Sequence, residues 1–164
     1  MPSMLIVKTG EAVPEARADG RDFEHWFSAG LGPDRFEYRT IRVDRDEALP
    51  PIEPGAPVAA ALITGSPAMV SDRLDWSERT AAWLRQAHAA GWPLLGVCYG
   101  HQLLAHALGG KVGANPAGRA MGRFQVRFSD AEDALTGSFM PGAEFHVSHL
   151  EAVLQCPPDS QVLG

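Results

Sequence analysis

The chain has 164 residues, 45% of them hydrophobic, and a formal net charge of −6. That is enough apolar material for the core of one domain, and an acidic chain without a basic cluster is poorly matched to nucleic acid or to an anionic membrane surface. No apolar run approaches membrane-spanning length, and its two cysteines, Cys98 and Cys156, form no disulfide framework, which fits a reducing cytoplasm.

Taken in chain order, strand and helix patterns alternate. The N-terminal residues 1–8 are too short and wrongly flanked for a signal peptide, so Met4, Leu5, Ile6 and Val7 read as a first core strand. A helix is predicted over about residues 22–29, with Phe23, Trp26 and Phe27 as its apolar stripe. Residues 36–43 alternate apolar and polar positions and suit a strand nearer the sheet edge, whereas 44–57, rich in proline and acid, read as a surface loop. Residues 58–63 form the next buried strand. Asp75 and Glu78 fit a capping box opening a helix with Trp76, Thr80, Trp83, Leu84 and Ala87 on one face. Further on, residues 122–128 and 144–148 read as strands, 130–139 as a short helix, and 161–164 as part of another core strand. The alternation predicts an α/β domain of three layers, with a largely parallel central sheet and helices on both faces. No repeat or linker divides it, so residues 1–164 read as a single domain.

The most informative stretch runs from Pro93 to Gly110. Leu94, Leu95 and Val97 make a short apolar run of the kind covered on both faces in a parallel sheet. From Gln102 onward, Leu103, Leu104, Ala107 and Leu108 recur at helical spacing until Gly109 and Gly110. Cys98 therefore falls on a sharp strand-to-helix turn, with Gly96 and Gly100 two positions to either side. Glycines there remove side chains where strand and helix must approach closely around a strained residue. A thiol at a helix N-terminus meets unpaired N–H donors and the positive end of the helix dipole, surroundings that favour a thiolate. The pattern is a nucleophile elbow carrying cysteine.

Gly96-Val-Cys98-Tyr-Gly100-His-Gln102 resembles the G-x-C-x-G-x-Q nucleophile motif of class I glutamine amidotransferases. Three further stretches agree in order. The Thr64-Gly65-Ser66-Pro67 turn resembles the loop supplying half of that family's oxyanion hole. Asn115 to Gly122 resembles a segment of the stand-alone members, with Ala120 where they commonly carry glutamate. Ser148-His149-Leu150 resembles the segment that cradles the substrate glutamine. The resemblance implies a flavodoxin-like fold and hydrolysis of the glutamine side-chain amide through a Cys98 thioester. It implies backbone N–H groups of Tyr99 and Ser66 as the oxyanion hole, and Gly65, Gln102, Ser148, His149 and Leu150 as the substrate pocket. No cofactor or metal is implied. The expected partners are glutamine or a γ-glutamyl compound and a separate ammonia-acceptor enzyme, with a homo-oligomer left open. The alternatives are an inactive binding protein of the same fold and a hydrolase of γ-glutamyl conjugates.

The general base is harder to place. Of the six histidines, His25 and His88 read as solvated helix residues, His106 as a helix-surface residue, and His101 as pointing away from Cys98. That leaves His146 and His149. Cys98, His149 and Glu151 are tempting as a triad, but in the family the base and its carboxylate lie in a later His-x-Glu segment that has no match here. The expectation is a domain lacking its C-terminal part, and inactive as it stands.

Overall fold

A computed structural model describes residues 1–53, 58–129, 136–137, 139 and 142–164. Its centre is a parallel sheet of β1 (Ser3–Lys8), β2 (Glu37–Arg42), β3 (Val58–Ile63) and β4 (Leu94–Gly96) in the order β2-β1-β3-β4. The helices are α1 (Phe23–Leu31), α2 (Asp75–Ala89) and α3 (Tyr99–Ala107). Side-chain alternation along the strands assigns them to layers. Leu5 and Val7 of β1 lie in register with Ala61 and Ile63 of β3, and all four share a buried cluster with Leu84 and Ala87 of α2 and Leu103 of α3. The opposite face carries the buried Met4, Ile6 and Leu62. On that face Lys8 Nζ reaches Asp22 and Glu24 at the start of α1, at 2.9 and 2.8 Å. Helices therefore cover both faces, as the alternation predicts.

Local chemistry sets the helix starts. Asp22 caps α1 by accepting from the Phe23 N–H at 2.8 Å, and His25 Nδ1 accepts the Asp22 N–H at 3.1 Å. His25 thus completes a capping box rather than merely facing water. The capping box expected at Asp75 is not formed. The residue with non-helical dihedrals is Leu74, which has no side-chain cap, so Asp75 and Glu78 both lie inside the first turn. Acidic residues there still suit the helix dipole.

Beyond α3 the chain leaves the parallel sheet. β5 (Lys111–Ala114) pairs antiparallel with β8 (Glu151–Gln155), and β6 (Ala120–Gln125) pairs antiparallel with β7 (Glu144–His149). The helix expected over 130–139 falls outside the described residues except at 136, 137 and 139. The core strand expected at 161–164 is not one. That segment is without regular structure, and the Leu163 carbonyl accepts from the Ser129 N–H at 2.7 Å.

Candidate active site

β4 ends at Gly96, and two residues later the backbone turns through Cys98 at φ 54° and ψ −112° before α3 begins. This is a sparsely populated conformation for a residue with a side chain, and it must be imposed by its surroundings. Those surroundings are visible. The Val97 N–H donates to the Ile63 carbonyl and the Gly100 N–H to the Thr64 carbonyl, each at 3.0 Å, which pins the turn to the end of β3. A Cβ on Gly96 would lie 2.5 Å from the Gly100 carbonyl carbon and oxygen, and one on Gly100 would lie 2.3 Å from the Ile63 carbonyl oxygen. Only glycine fits at either position. The thiol itself is exposed.

Tyr99 occupies the first helical position, where a backbone N–H has no carbonyl four residues earlier within the helix. Among the described residues neither this N–H nor that of Ser66 forms a hydrogen bond. The Tyr99 side chain serves packing. It is buried against Trp76, its hydroxyl lies 2.7 Å from Ser77 Oγ, and burial pushes its pKa up to about 12.

The Thr64–Gly65 turn is fastened to the end of β1. The Thr9 hydroxyl donates toward the Thr64 and Gly65 carbonyls, at 2.9 and 3.1 Å, and the Thr9 N–H donates to Thr64 Oγ1 at 3.1 Å. Gly10 allows the next turn to close, since a Cβ there would stand 2.7 Å from Ser66 Oγ. A Cβ on Gly65 would lie 3.7 Å from Cys98 Cβ, so this loop abuts the elbow. Thr9 and Gly10 are not among the residues that sequence reasoning singles out. The available signal is a polar residue directly after each of two buried strands.

A cavity of about 320 Å³ opens beside Cys98, and Gln102, Ser148 and His149 line it together with His101 and His146. Two expectations fail here. His101 faces the cavity rather than away from it, because it sits three positions after Cys98 on the same helix. Its residue surface is exposed, yet the protein mass around the ring, with the His149 ring nearby, disfavours the imidazolium and lowers its pKa. Leu150 is not in the cavity wall. Its side chain is 48% exposed, and its carbonyl is taken by the Asn115 N–H at 2.9 Å. Nor is His106 a free surface residue, since its ring lies 3.1 Å from Glu78 Oε1 and also meets Arg73.

Glu151 decides the question of the triad. Its carboxylate accepts from the Val70 N–H at 2.7 Å, while His149 Nδ1 donates to its backbone carbonyl at 2.8 Å. The same carbonyl accepts from Gln102 Nε2, also at 2.8 Å. His149 and Glu151 are thus joined through the main chain, and the carboxylate is engaged elsewhere. Among the described residues no histidine is hydrogen-bonded to Cys98, and no cluster of His, Cys, Asp and Glu could hold a metal ion.

Fold and site together define an α/β domain that displays a cysteine on a strained strand-to-helix elbow above a polar cavity. The family model for class-I glutamine amidotransferases matches residues 22–156, and the chain belongs to that family. The separately encoded glutamine-hydrolysing component of GMP synthase from Ignicoccus hospitalis is 35% identical over 116 residues, covering 71% of this chain and 58% of that protein. The glutamine-hydrolysing GMP synthase of Aeropyrum pernix is 36% identical over 107 residues, 65% of this chain and 19% of that enzyme. The chain thus spans under two thirds of either relative. Its fold matches a glutamine amidotransferase from Methylobacillus flagellatus with a TM-score of 0.68 at 24% identity, covering 96% of this chain and 59% of that one. A glutamine amidotransferase from Thermotoga maritima superposes with a TM-score of 0.71 at 14% identity, over 93% and 62%.

Proposed function

We propose that this domain hydrolyses the side-chain amide of glutamine, or of a γ-glutamyl compound, and releases ammonia to a separate acceptor enzyme. The observation that carries this is Cys98, held at φ 54° beside a cavity shared with Gln102, Ser148 and His149. The Cys98 thiolate attacks the amide carbon, and the resulting tetrahedral oxyanion is met by the backbone N–H groups of Tyr99 and Ser66. Such fixed donors need no reorientation as charge develops. The C–N bond then breaks, the nitrogen leaves as ammonia with a proton from the general acid, and a γ-glutamyl thioester remains. Water, deprotonated by the same group, cleaves the thioester to glutamate and restores the thiol. Gly65, Gln102, Ser148, His149 and the backbone at Leu150 hold the substrate. No cofactor takes part, and the setting is cytoplasmic.

The base and its carboxylate come from polypeptide outside these 164 residues, as a His-x-Glu segment. Two facts support this: the His149 Nδ1–H is committed to a main-chain carbonyl, and the chain covers only 58% of the Ignicoccus hospitalis relative. A non-catalytic binding role for the chain as it stands draws on the same lack of a base hydrogen-bonded to Cys98 among the described residues. Mass spectrometry of the protein treated with a glutamine-like chloroketone tests the pocket, a single adduct on Cys98 being expected. Joining a family His-x-Glu segment to the chain should then restore turnover. In that protein Cys98→Ala should abolish it, and His149→Ala should chiefly raise KM. An absent base costs about 10²–10⁴-fold in rate. Strong glutaminase activity from the 164-residue chain, lost in His149→Ala, would show that His149 is the base.

A further inference from the structure

One buried ionisable residue has no part in the scheme above. Glu151 opens β8 and is 4% exposed, and it is bound on two sides at once. Its carboxylate Oε2 accepts from the Val70 N–H at 2.7 Å and sits 3.4 Å from the Ser71 nitrogen. These donors belong to the 3₁₀ turn Val70–Asp72, which follows directly on the Ser66 loop. The Glu151 carbonyl meanwhile accepts from Gln102 Nε2 and His149 Nδ1, both at 2.8 Å. A carbonyl oxygen has two lone pairs, and both are used.

The geometry points to Glu151 as a positioning residue that couples the Ser66 loop to the Gln102 and His149 wall of the Cys98 cavity. This rests on the reading of that cavity as a glutamine pocket. The carboxylate fixes where β8 begins relative to the loop. The position of β8 in turn fixes the acceptor that orients the Gln102 amide and selects the His149 tautomer with its proton on Nδ1. Removing the carboxylate leaves the buried Val70 N–H without its acceptor. The loop and the strand then lose their common reference, and both halves of the pocket shift together. Misplacement of about 1 Å is enough to cost a large factor in a reaction that depends on orientation. Glu151 contributes no proton and no charge to the reacting atoms.

The test compares two reagents on the 164-residue chain. A glutamine-like chloroketone must dock before it alkylates Cys98, whereas iodoacetamide needs only access to the thiol. In Glu151→Ala the efficiency of saturable inactivation by the chloroketone should fall about tenfold, while the iodoacetamide rate stays within about twofold. Glu151→Gln, whose carboxamide oxygen accepts the same N–H groups, should recover to within about threefold of the parent. Should Glu151→Ala not fold, Glu151→Asp serves, because one methylene less breaks the 2.7 Å bond to Val70. An unchanged ratio of the two rates in these variants would overturn the inference. So would an equal fall in both rates, or a Glu151→Gln as impaired as Glu151→Ala. A parent chain that reacts with iodoacetamide but shows no saturable reaction with the chloroketone removes the glutamine reading and this inference together. Saturable parent chemistry with an unaffected Glu151→Ala removes the inference alone.

Discussion

Replacing Cys98 by glycine should make the domain more stable than replacing it by alanine, the reverse of the usual order. Alanine keeps a Cβ at φ 54° and ψ −112°, so it retains the strain of the elbow. Holding a non-glycine residue in such a region costs about 1–3 kcal/mol. Glycine relieves that cost but gains freedom in the unfolded chain, which offsets about 0.5–1 kcal/mol. The difference in favour of glycine is therefore about 1 kcal/mol, or roughly 2–4 °C in melting temperature for a domain of this size. Little side-chain burial confuses the comparison, because Cys98 is exposed. Paired thermal and urea melts of Cys98→Gly and Cys98→Ala measure the difference. Ala105→Gly, in the interior of α3, is the control and should show the ordinary sign, with glycine less stable by about 1 kcal/mol. If Cys98→Ala proved as stable as Cys98→Gly, the elbow would not be strained, and the argument that its surroundings impose it would fail.

Gly100→Ala should destabilise the fold by about 3 kcal/mol, because its Cβ would stand 2.3 Å from a β3 carbonyl oxygen and no flexible side chain is there to yield. Gly65→Ala, with nothing nearer than 3.5 Å, should melt close to the parent, so equal losses in the two variants would refute the steric account. Both cysteines are exposed, but only Cys98 has a helix N-terminus behind it, so iodoacetamide at neutral pH should label Cys98 before Cys156. Peptide mapping that finds Cys156 labelled as fast would count against activation by the elbow. The lowered pKa of His101 means that the unfolded chain binds its proton more readily than the folded one. Stability should therefore decline as pH falls from about 6.5, the ordinary histidine value, toward the lower folded one. His101→Gln should flatten that slope in chemical denaturation across pH 7.5 to 5.5 (an unchanged slope would place its origin elsewhere).

What is legible in the sequence is local and steric. Apolar runs at residues 4–7, 58–63 and 94–97 announce strands buried on both faces, and all three lie in one parallel sheet. Gly96 and Gly100 mark the elbow because their spacing alone demands a close crossing, whatever else the chain does. Features set by distant partners are not legible. His101 reads as pointing away from Cys98 unless the helical offset of three is followed round to the cavity. Leu150 groups with its neighbours in sequence, although the chain bends there and turns it outward. The short β5, interrupted by Gly113, has too few alternating positions to register. The Glu151 carboxylate meets Val70, 81 positions away, and no pattern of neighbours could reveal that contact.

The tempting triad shows why spacing misleads at a strand end. In an uninterrupted strand, residues two apart share a face, so His149 and Glu151 would present imidazole and carboxylate side by side. Here Leu150 breaks the strand. His149 closes β7, paired with β6, and Glu151 opens β8, paired with β5. The change of ribbon brings the His149 ring against the carbonyl of Glu151 and turns the carboxylate toward the 3₁₀ turn at Val70. A carbonyl oxygen only accepts, so this contact fixes the proton on Nδ1 but supplies no negative charge to stabilise an imidazolium. In a catalytic triad the carboxylate does both. His149 is thus oriented as a wall of the cavity and lacks the partner that a base requires. The same hydrogen bond that places it beside Cys98 is the reason to seek the base elsewhere.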